Sequence, residues 1–337
     1  MAVDRLKKHS ILLTGGTGFV GRHAIKRLVN DGNTVCALVR EKTKLMTVLN
    51  SFSSNPLLRV IEVSCPEKLS VEELKGIIET NNITTILHLA SIVGERSYPW
   101  DRYFEVNVTW TKNLALAFLA ANIVRDKFIF TSSVGVYGTI PQQVPATEKT
   151  PYNADGNYHR SKVLAEQELL VLHENSKLPL IILRPTIMYG NEDTGFLFKL
   201  FKLMAKKRFP LCDSNPEIHL LDIELLADVY SKFIAANTSS NEIIYNVADY
   251  HPVEIKALCK YISDSMPAKS LKIPSFLFSI LVKLSALKPQ YVVSFKLISK
   301  TWTYDVSEIY SAFDLNKTST LELINKKYFE WYRRAGQ

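Results

Sequence analysis

Apolar residues come along this chain in short solid runs, separated by longer segments in which they recur every three or four positions. The runs are Ser10–Thr14 (SILLT), Val35–Val39 (VCALV), Arg59–Val63 (RVIEV), Thr85–Leu89 (TILHL), Phe128–Ser132 (FIFTS) and Leu180–Leu183 (LIIL). Runs of this length, closed by Gly, Asn or Pro, predict strands buried on both faces. Between them Phe19–Asn30, Val71–Asn81, Tyr103–Asn122 and Tyr158–Asn175 read as helices. Strands alternating with helices predict an α/β fold with a doubly wound parallel sheet. Beyond Arg184 the alternation becomes irregular and Pro185, Pro210, Pro216, Pro252, Pro267, Pro274 and Pro289 punctuate the chain. That change predicts a smaller, mostly C-terminal lobe. Residues 1–185 form the first domain, and 218–250 are expected to return to it through the strand-like Ile243–Val247. Residues 186–217 and 251–337 make the lobe.

The first strand ends in Thr14-Gly15-Gly16-Thr17-Gly18-Phe19-Val20-Gly21, where an apolar run meets glycines and then an amphipathic helix. The glycines permit a sharp turn and a close approach to a pyrophosphate, and the helix N-terminus offers it unpaired N–H groups. The pattern Gly15, Gly18, Gly21 is a near relative of the dinucleotide fingerprint of Rossmann folds, in the strand–turn–helix setting that gives it meaning. Gly15, Thr17, Gly18, Phe19 and Val20 are therefore candidate cofactor contacts. After the second strand comes Arg40-Glu41-Lys42-Thr43-Lys44, which lacks the carboxylate that would hold the ribose of NAD. Arg40 and Lys44 suit the 2′-phosphate of NADPH, so NADP is the expected cofactor, with NAD as the alternative.

Composition narrows the class without choosing a reaction. With 47% hydrophobic and 22% charged residues, the chain reads as a soluble globular protein. The net charge of +8 comes with no dense basic tract, which argues against a nucleic-acid partner. Cys36, Cys65, Cys212 and Cys259 have no metal spacing and read as reduced thiols, and no metal site is expected. The polar N-terminus and the lack of a long apolar run predict a cytoplasmic protein with no transmembrane span. The apolar stretch 275–287 is read as a buried helix, with an open flank for an apolar substrate or a lipid surface as the alternative. Lys199, Lys202 and Lys206, extended by Lys207 and Arg208, make a basic helical face. His88, His159 and His219 are read as structural.

Tyr158 and Lys162 stand four apart and so share one face of a helix. A neighbouring ammonium favours the phenolate and suits the phenol to acid/base work. The spacing gains weight from its place after a strand ending in Ser132-Ser133-Val134-Gly135, because ligands bind at the carboxyl ends of such strands. TGGTGFVG, HLAS (88–91), NVTWT (107–111), SSVGVYG (132–138), YHRSK (158–162) and LRPTIMYG (183–190) follow one another in an order that resembles the extended short-chain dehydrogenases/reductases. The resemblance is to NAD-dependent epimerase/dehydratase-like members, closest in style to 3β-hydroxysteroid dehydrogenases and dihydroflavonol reductases.

That resemblance implies Ser133 as the serine that binds the substrate carbonyl, with Ser132 as its competitor. It implies Tyr158 as general acid/base, Lys162 as its partner and as a cofactor contact, Ala90 beside the dinucleotide, and the segment from Arg184 and Pro185 to Ile187 along the nicotinamide. Trp110 stands where the family carries a glycine, Cys65 where it carries an aspartate, and Val134-Gly135 where 4,6-dehydratases carry two acids. The segment 217–224 lacks the arginine-rich signature common in nucleotide-sugar epimerases. The expected function is an NADPH-dependent ketoreductase interconverting a carbonyl and a secondary alcohol on a bulky apolar small molecule. The alternatives are an NAD(P)-dependent sugar 4-epimerase and a non-catalytic binding member of the fold. A homodimer and peripheral membrane contact are left open.

Overall fold

Every apolar run becomes a strand of one sheet. A computed structural model describes residues 8–52, 54–94, 98–206, 209–212, 214–236, 242–266, 270–273, 296–324 and 328–335. In chain order the strands are β1 (Ser10–Thr14), β2 (Thr34–Val39), β3 (Leu58–Glu62), β4 (Thr85–His88), β5 (Lys127–Thr131), β6 (Leu180–Pro185), β7 (Ile187–Tyr189), β8 (Phe209–Cys212), β9 (Glu217–Ile218), β10 (Leu220–Asp222), β11 (Ile244–Val247), β12 (Val253–Glu254) and β13 (Ser270–Ile273). The main sheet has seven strands in the order β11-β6-β5-β4-β1-β2-β3. Strands β1 to β6 pair in parallel, with Leu12 facing Cys36 on one side and Ile86 on the other. The strand order reverses between β1 and β4, the switch point where such sheets bind ligands. Ile244–Val247 forms β11 at the edge of this sheet, beside β6.

The sheet belongs to the first of two compact units, made of residues 1–136, 154–184 and 226–245. Its helices are α1 (Phe19–Asn30), α2 (Lys42–Val48), α3 (Val71–Thr80), α4 (Trp100–Tyr103), α5 (Trp110–Ala120), α6 (Asn157–Ser176) and most of α8 (Ile223–Ala235), which follows α7 (Phe196–Ala205) in the chain. Helix α1 buries Gly21, Ala24, Ile25, Leu28 and Val29, the three-and-four spacing that the sequence displays. Ser70 caps α3 by accepting from the Glu73 N–H, and Glu73 returns the bond to the Ser70 N–H. One face of the sheet is filled by Leu12, Leu38, Ile86, Phe128 and Ile182 with Leu114, Phe118 and Leu169 from the helices.

One helix departs from expectation. The segment Tyr103–Asn122 is not a single α-helix: Phe104–Thr109 forms a π-helical turn between α4 and α5. The wider turn holds an inserted residue. Within it Asn107 turns inward, accepting from the Ile92 N–H at 2.8 Å and donating to Ile92 O at 3.0 Å and Ser161 Oγ at 2.9 Å. One amide side chain thus ties the loop after β4 to α6.

The second unit comprises residues 137–153, 185–225 and 246–337. It holds three two-stranded pairings, β7 with β10, β9 with β12 and β8 with β13. Its polar centre is Asp249, which accepts from Tyr189 Oη at 2.8 Å, Thr320 Oγ1 at 2.7 Å and the Asp222 N–H at 2.8 Å. His219 donates from Nε2 to Asp249 O at 2.6 Å and accepts the Tyr304 N–H at Nδ1, 3.3 Å away. Lys199, Lys202 and Lys206 are exposed along α7. The stretch 275–287, with Lys207 and Arg208, lies outside the described residues. Cys36, Cys65 and Cys259 are free thiols. Among the described residues no helix is long and apolar enough to cross a membrane, and no three His, Cys, Asp or Glu side chains gather as a metal site.

Candidate active site

The glycine turn is shaped by how tightly the chain folds on itself. Gly15 adopts φ +78°, and a Cβ there would sit 2.8 Å from Ala90 N. A Cβ on Gly21 would fall 2.2 Å from Gly15 O, so helix α1 packs against the turn only without a side chain at that point. Gly18 caps α1 with no side-chain hydrogen bond, leaving first-turn N–H groups for a ligand. Gly18 is exposed, while Thr17, Phe19 and Val20 are half-buried. This is a surface that fits a pyrophosphate. The residues present suit the dinucleotide that the sequence implies.

Across the switch point the ends of β1 and β4 are joined by a directed chain of hydrogen bonds. Thr14 Oγ1 accepts the N–H groups of Leu89 and Ala90, each at 3.2 Å. Its own hydrogen is then free for His88 Nδ1, 2.7 Å away. The other ring nitrogen, Nε2, lies 2.9 Å from Thr111 Oγ1, which donates onward to Asn107 O at 2.8 Å. The network assigns the neutral ring with its hydrogen on Nε2. Burial, helped by the nearby charge of Lys162, holds His88 down at about 3. Trp110 packs edge-on against this ring with centroids 5.2 Å apart. The position where the family resemblance expects a glycine therefore fills the space around His88.

Beyond β5 lie the chemical groups. Tyr158 stands in the first turn of α6 and is half-buried, with Lys162 one turn further in and fully buried. Lys162 Nζ donates to Thr131 O at 2.8 Å and lies 4.7 Å from the centre of the Phe130 ring. Burial draws the ammonium down to about 7, against the pull of the Glu166 carboxylate. Burial also pushes the Tyr158 phenol up to about 12, and a hydrogen bond with the Ser133 side chain works the other way. Ser133 Oγ accepts the Gly135 N–H at 3.0 Å, which orients the hydroxyl. The chain thus brings Ser133, Tyr158 and Lys162 together at the end of one strand.

The two serines are separated by their partners. Ser132 is buried and donates its hydroxyl hydrogen to Glu166. Glu166 also receives Arg184 through both oxygens, with Nη2 to Oε2 at 2.5 Å and Nε to Oε1 at 3.0 Å. Glu166 and Arg184 side chains are 0% and 2% exposed, so this is a fully desolvated, bidentate pair. Ser132 belongs to that pair, and Ser133 faces Tyr158. Pro185 is buried, Ile187 is half-buried in β7, and Ala90 is half-buried at the end of the hydrogen-bond chain. The His159 ring donates from Nδ1 to Asp155 Oδ1, 2.7 Å away, and its centroid lies 5.7 Å from that of the Tyr158 ring.

At the far end of the sheet, Arg40 and Lys44 are exposed after β2. The sequence reading missed Glu67, which comes from the short helical turn Pro66–Lys68 after β3. Its carboxylate reaches Arg40, and its Oε2 is buried with no hydrogen-bond partner.

The model of the NAD dependent epimerase/dehydratase family matches residues 11–248. The chain belongs to that family. It is an enzyme of the NAD-dependent epimerase/dehydratase type within the extended short-chain dehydrogenases/reductases. Among curated relatives, UDP-glucose 4-epimerase of Vibrio cholerae is 27% identical over 292 residues, covering 83% of this chain and 84% of the relative. A 4-hydroxy-2-methyl-3-oxo-4-farnesyl-3,4-dihydroquinoline-1-oxide ketoreductase of Stigmatella aurantiaca is 26% identical over 260 residues, covering 77% and 73%. Of solved structures, UDP-glucuronic acid 4-epimerase from Bacillus cereus in complex with NAD superposes with a TM-score of 0.76 at 18% identity, covering 97% of this chain and 100% of the other. At that identity the likeness is one of fold.

Proposed function

We propose that this family member is an oxidoreductase that interconverts a carbonyl and a secondary alcohol on a small-molecule substrate, with Ser133, Tyr158 and Lys162 as its catalytic residues. The observation that carries this reading is the Ser133–Tyr158 hydrogen bond one helical turn from a buried lysine. A bound nicotinamide dinucleotide would supply or accept the hydride. Gly15, Thr17, Gly18, Phe19 and Val20 would hold its pyrophosphate, with Ala90 alongside. Tyr158 and Lys162 would also touch the nicotinamide ribose. Exposed Arg40 and Lys44 favour NADPH over NADH.

A phenol held up at about 12 is stored protonated at neutral pH. It is matched to giving a proton to a developing alkoxide, while the Ser133 hydroxyl donates a hydrogen bond to the same oxygen. Lys162, when charged, lowers the cost of leaving negative charge on Tyr158. A protonated Tyr158 is the form that the reductive half of the reaction uses. A second reading, a 4-epimerase that oxidises and re-reduces one bound sugar, is supported by the 4-epimerases matched over most of this chain. Deuteride-labelled NADPH separates the two. A reductase puts label into product and consumes cofactor mole for mole with ketone. A cofactor that outlasts many turnovers unconsumed overturns that reading in favour of the epimerase.

A further inference from the structure

The NADPH preference rests on positive charge after β2, and that charge does not stand alone. Arg40 Nη2 lies 3.2 Å from Glu67 Oε1, and Arg102 Nη2 meets the same oxygen at 2.5 Å. Arg102 Nη1 also meets Glu105 Oε2 at 2.6 Å. Two guanidiniums and two carboxylates therefore form one cluster with no net charge. The Glu67 side chain is 2% exposed and gripped by Arg102, whereas the Arg40 side chain is 54% exposed. Arg40 is the partner free to turn, and Glu67 is the one that stays.

A phosphate brought to Arg40 has to compete with a carboxylate already there and then share space with it. A ribose carrying two hydroxyls meets no such opposition. We infer that Glu67 is a specificity-determining residue of this chain: it holds Arg40 and opposes a 2′-phosphate, so cofactor choice follows the Arg40–Glu67 pair. The inference rests on reading the β1–β3 end as the adenosine side of a dinucleotide site. The pair sets the NADPH preference low, and a change at Glu67 widens it with no new contact added.

The test is isothermal titration of NAD⁺ and NADP⁺ against the full chain, Glu67→Gln, Arg40→Ala and the double variant. Glu67→Gln keeps an acceptor for Arg102 and removes the charge. It is expected to raise the NADP⁺-to-NAD⁺ affinity ratio about fivefold, the scale of a half-exposed ion pair. In the Arg40→Ala background the same change is expected to give a smaller rise, because only the repulsion between carboxylate and phosphate is then relieved. Glu67→Asp, which withdraws the carboxylate by one methylene, gives a smaller rise and serves if the glutamine variant does not fold. An unchanged ratio in Glu67→Gln, or an equal rise without Arg40, overturns the inference while leaving dinucleotide binding intact. Failure of the unsubstituted chain to bind either nucleotide overturns the underlying reading, and the inference with it.

Discussion

Ser132 donates its hydroxyl hydrogen to the buried carboxylate of Glu166. The bond sets Ser132 apart from its neighbour Ser133, whose side chain meets Tyr158. Ser132→Ala removes a hydrogen bond to a charged group, worth about 1.5–3 kcal/mol. It is expected to lower the melting temperature and to leave turnover per folded molecule nearly unchanged. Ser133→Ala is expected to do the reverse, with kcat down by roughly 10²-fold and melting unaffected. Steady-state kinetics beside thermal melts decide it. Loss of kcat in the Ser132 variant alone would exchange the two roles.

Tyr158→Phe keeps the ring and removes the proton. Turnover is expected to fall by about 10²–10⁴-fold, while nucleotide affinity by titration stays within a few fold of the parent. Activity close to that of the parent chain would remove Tyr158 from the acid/base role. Lys162→Ala is expected to weaken nucleotide binding as well, because the ammonium then serves neither ribose nor phenol.

Two buried bases make stability depend on pH in the absence of ligand. His88 is held at about 3 against an ordinary 6.5. Between those values the unfolded chain binds a proton that the folded chain refuses, so stability falls as pH drops from 6.5 towards 3. Lys162, drawn from 10.5 to about 7, works by the same rule higher up, and stability rises as pH climbs through that window. Urea titrations of His88→Gln and Lys162→Met across pH are expected to flatten the lower and the upper slope respectively. Parallel curves for variant and parent would show that neither group carries the dependence.

Gly21 and Gly76 make a contrast in what a methyl group meets. At Gly21 it lands 2.2 Å from Gly15 O, against backbone, and the turn has to open. Gly21→Ala is expected to cost more than about 1–3 kcal/mol and to abolish nucleotide binding. At Gly76, exposed inside α3, nothing lies within 4 Å. Gly76→Ala is expected to stabilise by about 0.5–1 kcal/mol through helix propensity and a less free unfolded chain. Denaturant midpoints read both. A stabilised Gly21→Ala would deny the close packing of α1 on the turn.

The strands were legible because a parallel sheet covered on both faces needs unbroken apolar runs, and Leu12, Ile86 and Phe128 stand in just such runs. Helix α1 was legible from its spacing, and Tyr158 with Lys162 from theirs. Glu166 could have been found, since it follows Lys162 by one further helical turn. Its burial could not, because only the fold brings Arg184 across from β6 to meet it. Glu67 sits in the polar stretch Cys65-Pro66-Glu67-Lys68, which reads as surface. Its importance comes from Arg40 and Arg102, which lie 27 and 35 residues away in sequence. The π-helical turn left no trace in periodicity because its six residues are too few to shift a pattern visibly.

That turn lets the chain between Phe104 and Thr109 carry one residue more than a regular helix while the helix beyond it keeps its phase. A π turn closes over more residues than an α turn, so deleting one residue there is expected to restore regular winding with Thr111 and Trp110 still presented to His88. Such a deletion would take away the inward position of Asn107, and with it the bonds to Ile92 and Ser161. Within α5 there is no wide turn to absorb a change, and because an α-helix advances about 100° per residue, one deletion there would swing every later side chain off its partner. Changes of length are therefore expected to be tolerated within the turn and not within the helix that follows it.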